Sequence, residues 1–139
     1  AVEHFGATVV ATDEILSVKA DVLSPCALGA ILNDDTIAHL KVPIIAGGAN
    51  NQLASDSHGI RLMDKDILFA PDYVINAGGI INVSGETTGD YDVNWVNEKV
   101  ENIYHTLIHI FERANQEGRP TNIVADEMAE EIIASAKSA

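Results

Sequence analysis

Cysteine occurs once, at Cys26, which excludes an internal disulfide framework and any paired-cysteine metal site. Basic side chains are scarce as well: 8 Lys and Arg stand against 21 Asp and Glu, for a formal net charge of −13. A phosphate backbone needs the opposite sign, so no nucleic-acid partner is expected. No apolar run approaches the ~20 residues that a membrane span requires, so no membrane partner is expected either. The opening Ala1-Val2-Glu3-His4-Phe5 has neither the basic nor the apolar stretch of a signal peptide. It also lacks an initiator Met, and the polypeptide is expected to continue upstream. A cytoplasmic location fits this composition.

What is present has the balance of a folded domain. Hydrophobic residues make up 47% and charged residues 21%, so wholesale disorder is not expected. Three apolar runs read as buried strands: residues 20–23, residues 42–45 and a broken run across 67–75. Helical patterns lie between them, each behind capping residues. Thr12-Asp13 precede 14–18, Asn33-Asp34-Asp35 precede 36–40, and Ser55-Asp56-Ser57 precede 58–66, where Gly59 weakens the pattern. Strands alternating with helices predict a parallel α/β sheet, because a parallel crossover needs a connecting helix. In the last third, Val96, Val100, Ile103, Leu107, Ile110 and Phe111 keep helical spacing from a cap at Asp92 or Asn94 to Gly118 and Pro120. A final helix carries Met128, Ala129, Ile132, Ile133 and Ala136 on one face.

The segments that follow the strands carry the functional signal. The first runs into Ser24-Pro25-Cys26-Ala27-Leu28-Gly29, the second into Ala46-Gly47-Gly48-Ala49-Asn50-Asn51, and the third ends in a loop, Asn76-Ala77-Gly78-Gly79. Each combines small residues with an amide or hydroxyl. Ligands of open α/β sheets lie at the carboxyl ends of the strands, where small side chains let a flat ligand approach the backbone.

These three stretches, with the continuation Gln52-Leu53 and the lead-in Ala70-Pro71-Asp72-Tyr73-Val74-Ile75, closely resemble the glutamate/leucine/phenylalanine/valine dehydrogenase family, and its leucine-type members above all. The resemblance extends to Ala125-Asp126-Glu127-Met128-Ala129-Glu130-Glu131. It implies a partial Rossmann-like, doubly wound parallel sheet, later strands only, with long C-terminal helices. Residues 1–139 would form the C-terminal part of the dinucleotide-binding domain, α/β to about residue 91 and helical from about 92. The chain departs from the family in having no G-x-G-x-x-G turn, and none of Lys19, Lys41, Lys65 and Lys99 falls in a catalytic motif. The catalytic domain and first Rossmann strands are therefore expected to be absent. By the resemblance residues 8–10 correspond to the third strand of a 3-2-1-4-5-6 sheet. They should not pair with 20–23, which should have one bare flank.

The resemblance also implies roles. Cys26, Ala27, Ala49, Asn50, Asn51, Asn76, Gly78 and Gly79 would line the NAD site, and Asn51 and Val83 would meet the substrate. Read on residue type alone, the asparagines are turn formers before they are ligands, and Val83 is equally a core residue. A valine at this place offers an aliphatic wall and leaves a carboxylate unpaired, which fits a branched-chain substrate. Cys26 beside an apolar strand reads as a small buried hydrophobe and not a nucleophile. His105 and His109 share a helix face, but without an H-E-x-x-H pattern they read as packing or surface residues, and no metal site is expected. The expected function is NAD-dependent oxidative deamination of a leucine- or valine-type L-amino acid to a 2-oxo acid and ammonia. The small-molecule partners are that amino acid and oxo acid, the intact parent would be a homo-oligomer, and this segment holds no catalytic residue. The alternative is a stand-alone, non-enzymatic half-domain serving as an interaction module or nucleotide sensor.

Overall fold

Three two-residue strands make the sheet, in a computed structural model that describes residues 1–87, 89 and 91–138. Strands β1 (Val22–Leu23), β2 (Ile44–Ile45) and β3 (Leu68–Phe69) lie parallel in that order, with Val22 opposite Ile44 and Ile44 opposite Leu68. The β-branched and aromatic residues fit the pleat, and its alternation separates two faces. Leu23, Ile45 and Phe69 point into a core with Leu32, Ile37, Leu40, Val42, Leu62 and Ile67. Fully buried side chains such as Leu32, Ile45 and Leu62 each contribute roughly 1.5–3 kcal/mol of hydrophobic stabilisation. Val22, Ile44 and Leu68 occupy the opposite, half-exposed face.

The helices are α1 (Val2–Phe5), α2 (Asp34–His39), α3 (Ser57–Met63), α4 (Asp72–Ile75), α5 (Gly78–Thr87), α6 (Val93–Glu117) and α7 (Thr121–Lys137). Helix α2 starts where the sequence places it. Asn33 Oδ1 accepts from the Asp35 and Thr36 N–H groups, while Thr36 Oγ1 accepts from Asn33 N, a reciprocal capping box. For α6 the cap is Asp92, whose carboxylate accepts from Asn94 N and Trp95 N. Gly118 ends this helix at φ 63°, a left-handed conformation that glycine adopts without steric cost. Pro120 then sets the entry to α7 at φ −62°. Ile110 and Ala114 of α6 pack on Val124 and Ala125 of α7, with Val74, Phe111 and Met128 around them.

Three expectations are corrected. Residues 14–18 form only a single 3-10 turn, Ile15–Ser17, without a side-chain cap from Thr12 or Asp13. Instead Ser17 Oγ bonds back to Glu14 O at 2.9 Å and the chain becomes extended at Val18, so no further helical turn is built. The broken run 67–75 is a strand only at β3. Pro71, which lacks an N–H and takes φ −55°, closes the ladder and starts α4. Gly78 and Gly79 open helix α5 and are not part of a loop. At Gly59 the expected weakness has a packing reason: an added Cβ would sit 1.9 Å from Asn122 Oδ1, so glycine lets α7 approach α3. Residues 8–10 form no strand and make no backbone hydrogen bond with the described residues, and β1 pairs with β2 alone.

Candidate functional site

The carboxyl ends of β2 and β3 open into a cleft of about 550 Å³, lined by Gly48, Asn50, Asn51, Asp72, Tyr73, Asn76, Ala77, Gly79 and Ile80. Across it, Asn76 Nδ2 donates to Asn50 Oδ1 at 2.6 Å and to Gly48 O at 3.3 Å. That leaves the Asn50 amide nitrogen and the Asn76 carbonyl oxygen without hydrogen-bond partners among the described residues. One donor and one acceptor thus stand side by side on the cleft wall. The first turn of α5 adds to them. Its first intrahelical bond runs from Ile81 N to Ala77 O at 3.0 Å, so the N–H groups of Gly78, Gly79 and Ile80 precede it. Such a helix start favours acceptor atoms.

The loop between β2 and the cleft is held from inside. Gln52 is fully buried, and its Nε2 donates to Gly47 O at 2.8 Å and Ala49 O at 2.9 Å. Those two bonds fix the amide's orientation and leave Oε1 buried without a partner. Gly47 lies against the other strand-end loop, where an added Cβ would meet Pro25 O at 2.3 Å and Pro25 N at 2.4 Å. Ala49 N donates to Pro25 O at 2.8 Å, tying the same loops together. Asn51 sits at φ 53°, a conformation asparagine tolerates better than most residues. Its N–H donates to Asp72 Oδ2 at 2.8 Å and its carbonyl accepts from Ala30 N at 2.6 Å. Asp72 is 7% exposed.

Tyr73 lines the cleft but directs its hydroxyl away, donating to Asp126 Oδ1 at 2.6 Å with Asn122 O 3.1 Å from the same oxygen. Burial, then the bond to the Asp126 carboxylate, pushes its phenol well above the usual tyrosine range. It is a mooring to α7.

Of the residues named from the sequence, Asn50, Asn51, Asn76 and Gly79 come together here. Ala49 lies behind the rim and is 6% exposed, whereas Ala27 is exposed and outside the cleft. Gly78 turns towards α6, where an added Cβ would lie 4.0 Å from Val100 Cγ2. Val83 is 50% exposed, so the core reading fails. It stands one turn beyond Gly79 and Ile80 on the same helical face. Cys26 is exposed and not buried as expected, because the turn after β1 directs it outward over Gly48. The Ser24 hydroxyl, 3.5 Å from Sγ, and then the Gly48 backbone hold its thiol below the usual cysteine value.

Sequence reading missed Asp72, Gln52 and Tyr73. Only Asp72 carried a signal, following Pro71 as the first residue of a helix. Among the described residues no group of three His, Cys, Asp or Glu could hold a metal ion, and no helix is long and apolar enough to cross a membrane.

Comparison with known proteins is specific. The family described as Glutamate/Leucine/Phenylalanine/Valine dehydrogenase matches residues 2–137. A leucine dehydrogenase of Thermoactinomyces intermedius is 51% identical over 133 residues, which is 96% of this chain and 36% of that protein. An L-tryptophan dehydrogenase of Nostoc punctiforme is 52% identical over 134 residues, 96% of this chain and 38% of that protein. The crystal structure of L-tryptophan dehydrogenase from Nostoc punctiforme superposes with a TM-score of 0.93 at 50% identity, covering 99% of this chain and 41% of that one. The chain spans little more than a third of the length of the curated relatives it matches.

Proposed function

The chain belongs to the glutamate/leucine/phenylalanine/valine dehydrogenase family, and on that premise we propose that it forms the nicotinamide-facing part of an NAD-dependent dehydrogenase, cytoplasmic and homo-oligomeric, that oxidatively deaminates a branched aliphatic L-amino acid. The observation that carries this reading is the pair of carboxamides, Asn50 and Asn76, joined at 2.6 Å across the cleft. Their free amide nitrogen and carbonyl oxygen match a ligand carboxamide, which carries the complementary acceptor and donor. Gly48 and Gly79 present no side chain, so a flat ring can reach the backbone there. Bound NAD supplies the hydride acceptor.

The chain's own residues do the positioning, which is a large share of the advantage in hydride transfer. Asn50, Asn76 and the start of α5 fix the ring's carboxamide. Cys26 and Ala27 approach from the β1 side, with Ala49 and Gly78 behind the wall. Asn51 serves both cofactor and substrate, and Val83 offers the half-exposed apolar surface that an aliphatic side chain needs. Among the described residues no lysine lines the cleft, and proton transfer is assigned to groups outside residues 1–139.

The test uses the full-length polypeptide and follows NADH formation with L-leucine. Asn51→Ala is expected to lower kcat/KM by about 1–3 kcal/mol in transition-state terms. Val83→Ser should reduce use of leucine relative to more polar amino acids. No leucine-dependent NADH formation in the wild type sinks the assignment, and full efficiency in Asn51→Ala returns that residue to a turn former.

A further inference from the structure

Among the described residues Asp72 is the one charged group on the cleft wall, and its bond to the Asn51 N–H accounts for only one of its two oxygens. It is more than nine-tenths buried, yet takes part in none of the ion pairs among the described residues. One oxygen, Oδ2, accepts the Asn51 N–H at 2.8 Å, and Oδ1 has no hydrogen-bond partner among the described residues. Nor is Oδ1 among the partnerless atoms sealed from solvent, which are Gln52 Oε1 and Asn122 Oδ1. A buried carboxylate with no cation beside it carries a desolvation cost that a positive partner would offset. The nine residues around the cleft include no Lys, Arg or His to supply one.

We propose that Asp72 is a ligand-binding residue, its Oδ2 anchored by Asn51 and its Oδ1 held open for a cationic nitrogen group of the bound ligand. The inference rests on the dehydrogenase reading, in which two groups have that chemistry: the oxidised nicotinamide ring and the ammonium of the amino acid. Both positive charges disappear as oxidative deamination proceeds, when the ring becomes the uncharged dihydronicotinamide of NADH and the carbon bearing the ammonium becomes the carbonyl of the 2-oxo acid. Asp72 thus favours the charged member of its pair.

The experiment compares wild type and D72N in the full-length polypeptide. The amide is nearly isosteric and keeps an oxygen for the Asn51 N–H while removing the charge. Dissociation constants are measured for NAD+ and NADH, and KM for L-leucine and its 2-oxo acid. D72N is expected to weaken the member of one pair that carries the cationic nitrogen about tenfold or more relative to the member that lacks it. A loss confined to NAD+ identifies the ring as the partner, and one confined to leucine identifies the ammonium. Equal losses within each pair, or no loss, overturn the assignment. Asp72→Ser, smaller and also neutral, carries the same test if the amide does not fold. A wild-type protein that binds neither NAD+ nor NADH overturns the dehydrogenase reading itself, and this inference with it.

Discussion

The α6–α7 hairpin and the rim of the cleft are built from opposite kinds of interaction. In the hairpin, Arg113 reaches Glu117 at 2.8 Å and Glu131 at 2.9 Å, while Arg119 reaches Glu117 at 3.0 Å and also Glu127. These groups lie near the surface, share partners and are screened by water and salt. At the rim, by contrast, three backbone groups each have a single side-chain partner among the described residues. Gly47 O and Ala49 O both depend on Gln52, and Asn51 N depends on Asp72. The hairpin can lose a contact and keep its shape, because its apolar seam and several arginine bonds remain. The rim has no such redundancy, so the functional region is the more brittle one.

Three perturbations probe that contrast. The largest effect is expected from Gly47→Ala, since the new methyl would fall 2.3–2.5 Å from backbone and ring atoms of Pro25, neither of which is a flexible chain end. A loss of roughly 3 kcal/mol is expected in urea denaturation, and wild-type stability would show that the two loops are free to part. Gln52→Leu comes next. It strips two carbonyls of their donor but also removes the unpartnered Oε1, for a net cost of about 1–2 kcal/mol. A stabilised variant would mean that the buried amide is a liability and not a brace.

The smallest effect is expected in the hairpin, from acid. The arginine bonds hold the Glu117, Glu127 and Glu131 carboxyls below their ordinary range: Arg113 and then Arg119 for Glu117, Arg119 for Glu127, Arg113 for Glu131. Because folding lowers these values, their contribution is complete above the unfolded glutamate value of about 4.3 and fades as pH falls through the folded ones. Arg113→Met should lower stability slightly at neutral pH and flatten the acid limb of a stability-versus-pH curve, because both changes are the loss of the same small contribution. An unaltered acid limb would assign the sensitivity to other carboxylates.

The same contrast decides what could be read in advance. Helices α2, α6 and α7 were legible because their signals are local: Asn33, Asp92, Gly118 and a periodic stripe such as Ile110 and Ala114. The parallel sheet followed from alternation, and the asparagines of the cleft from their place after β2 and β3. What escaped is non-local. Gln52 is a brace only because the chain folds back to Gly47, and Asp72 reaches Asn51 across 21 positions. Helix α5 was hidden because two glycines at its start look like a linker until Ile81 N bonds back to Ala77 O. Cys26 was misplaced for the same reason, since hydropathy does not say which way a turn directs its side chain.

Asn51 combines a left-handed backbone with a carboxamide at the mouth of the cleft. Few replacements satisfy both demands. Glycine accepts the φ of 53° but brings no amide, aspartate tolerates the angle but places a second charge beside Asp72, and glutamine keeps the amide at the expense of the backbone. Substitutions there must surrender conformation, chemistry or charge balance, so no single replacement keeps all three.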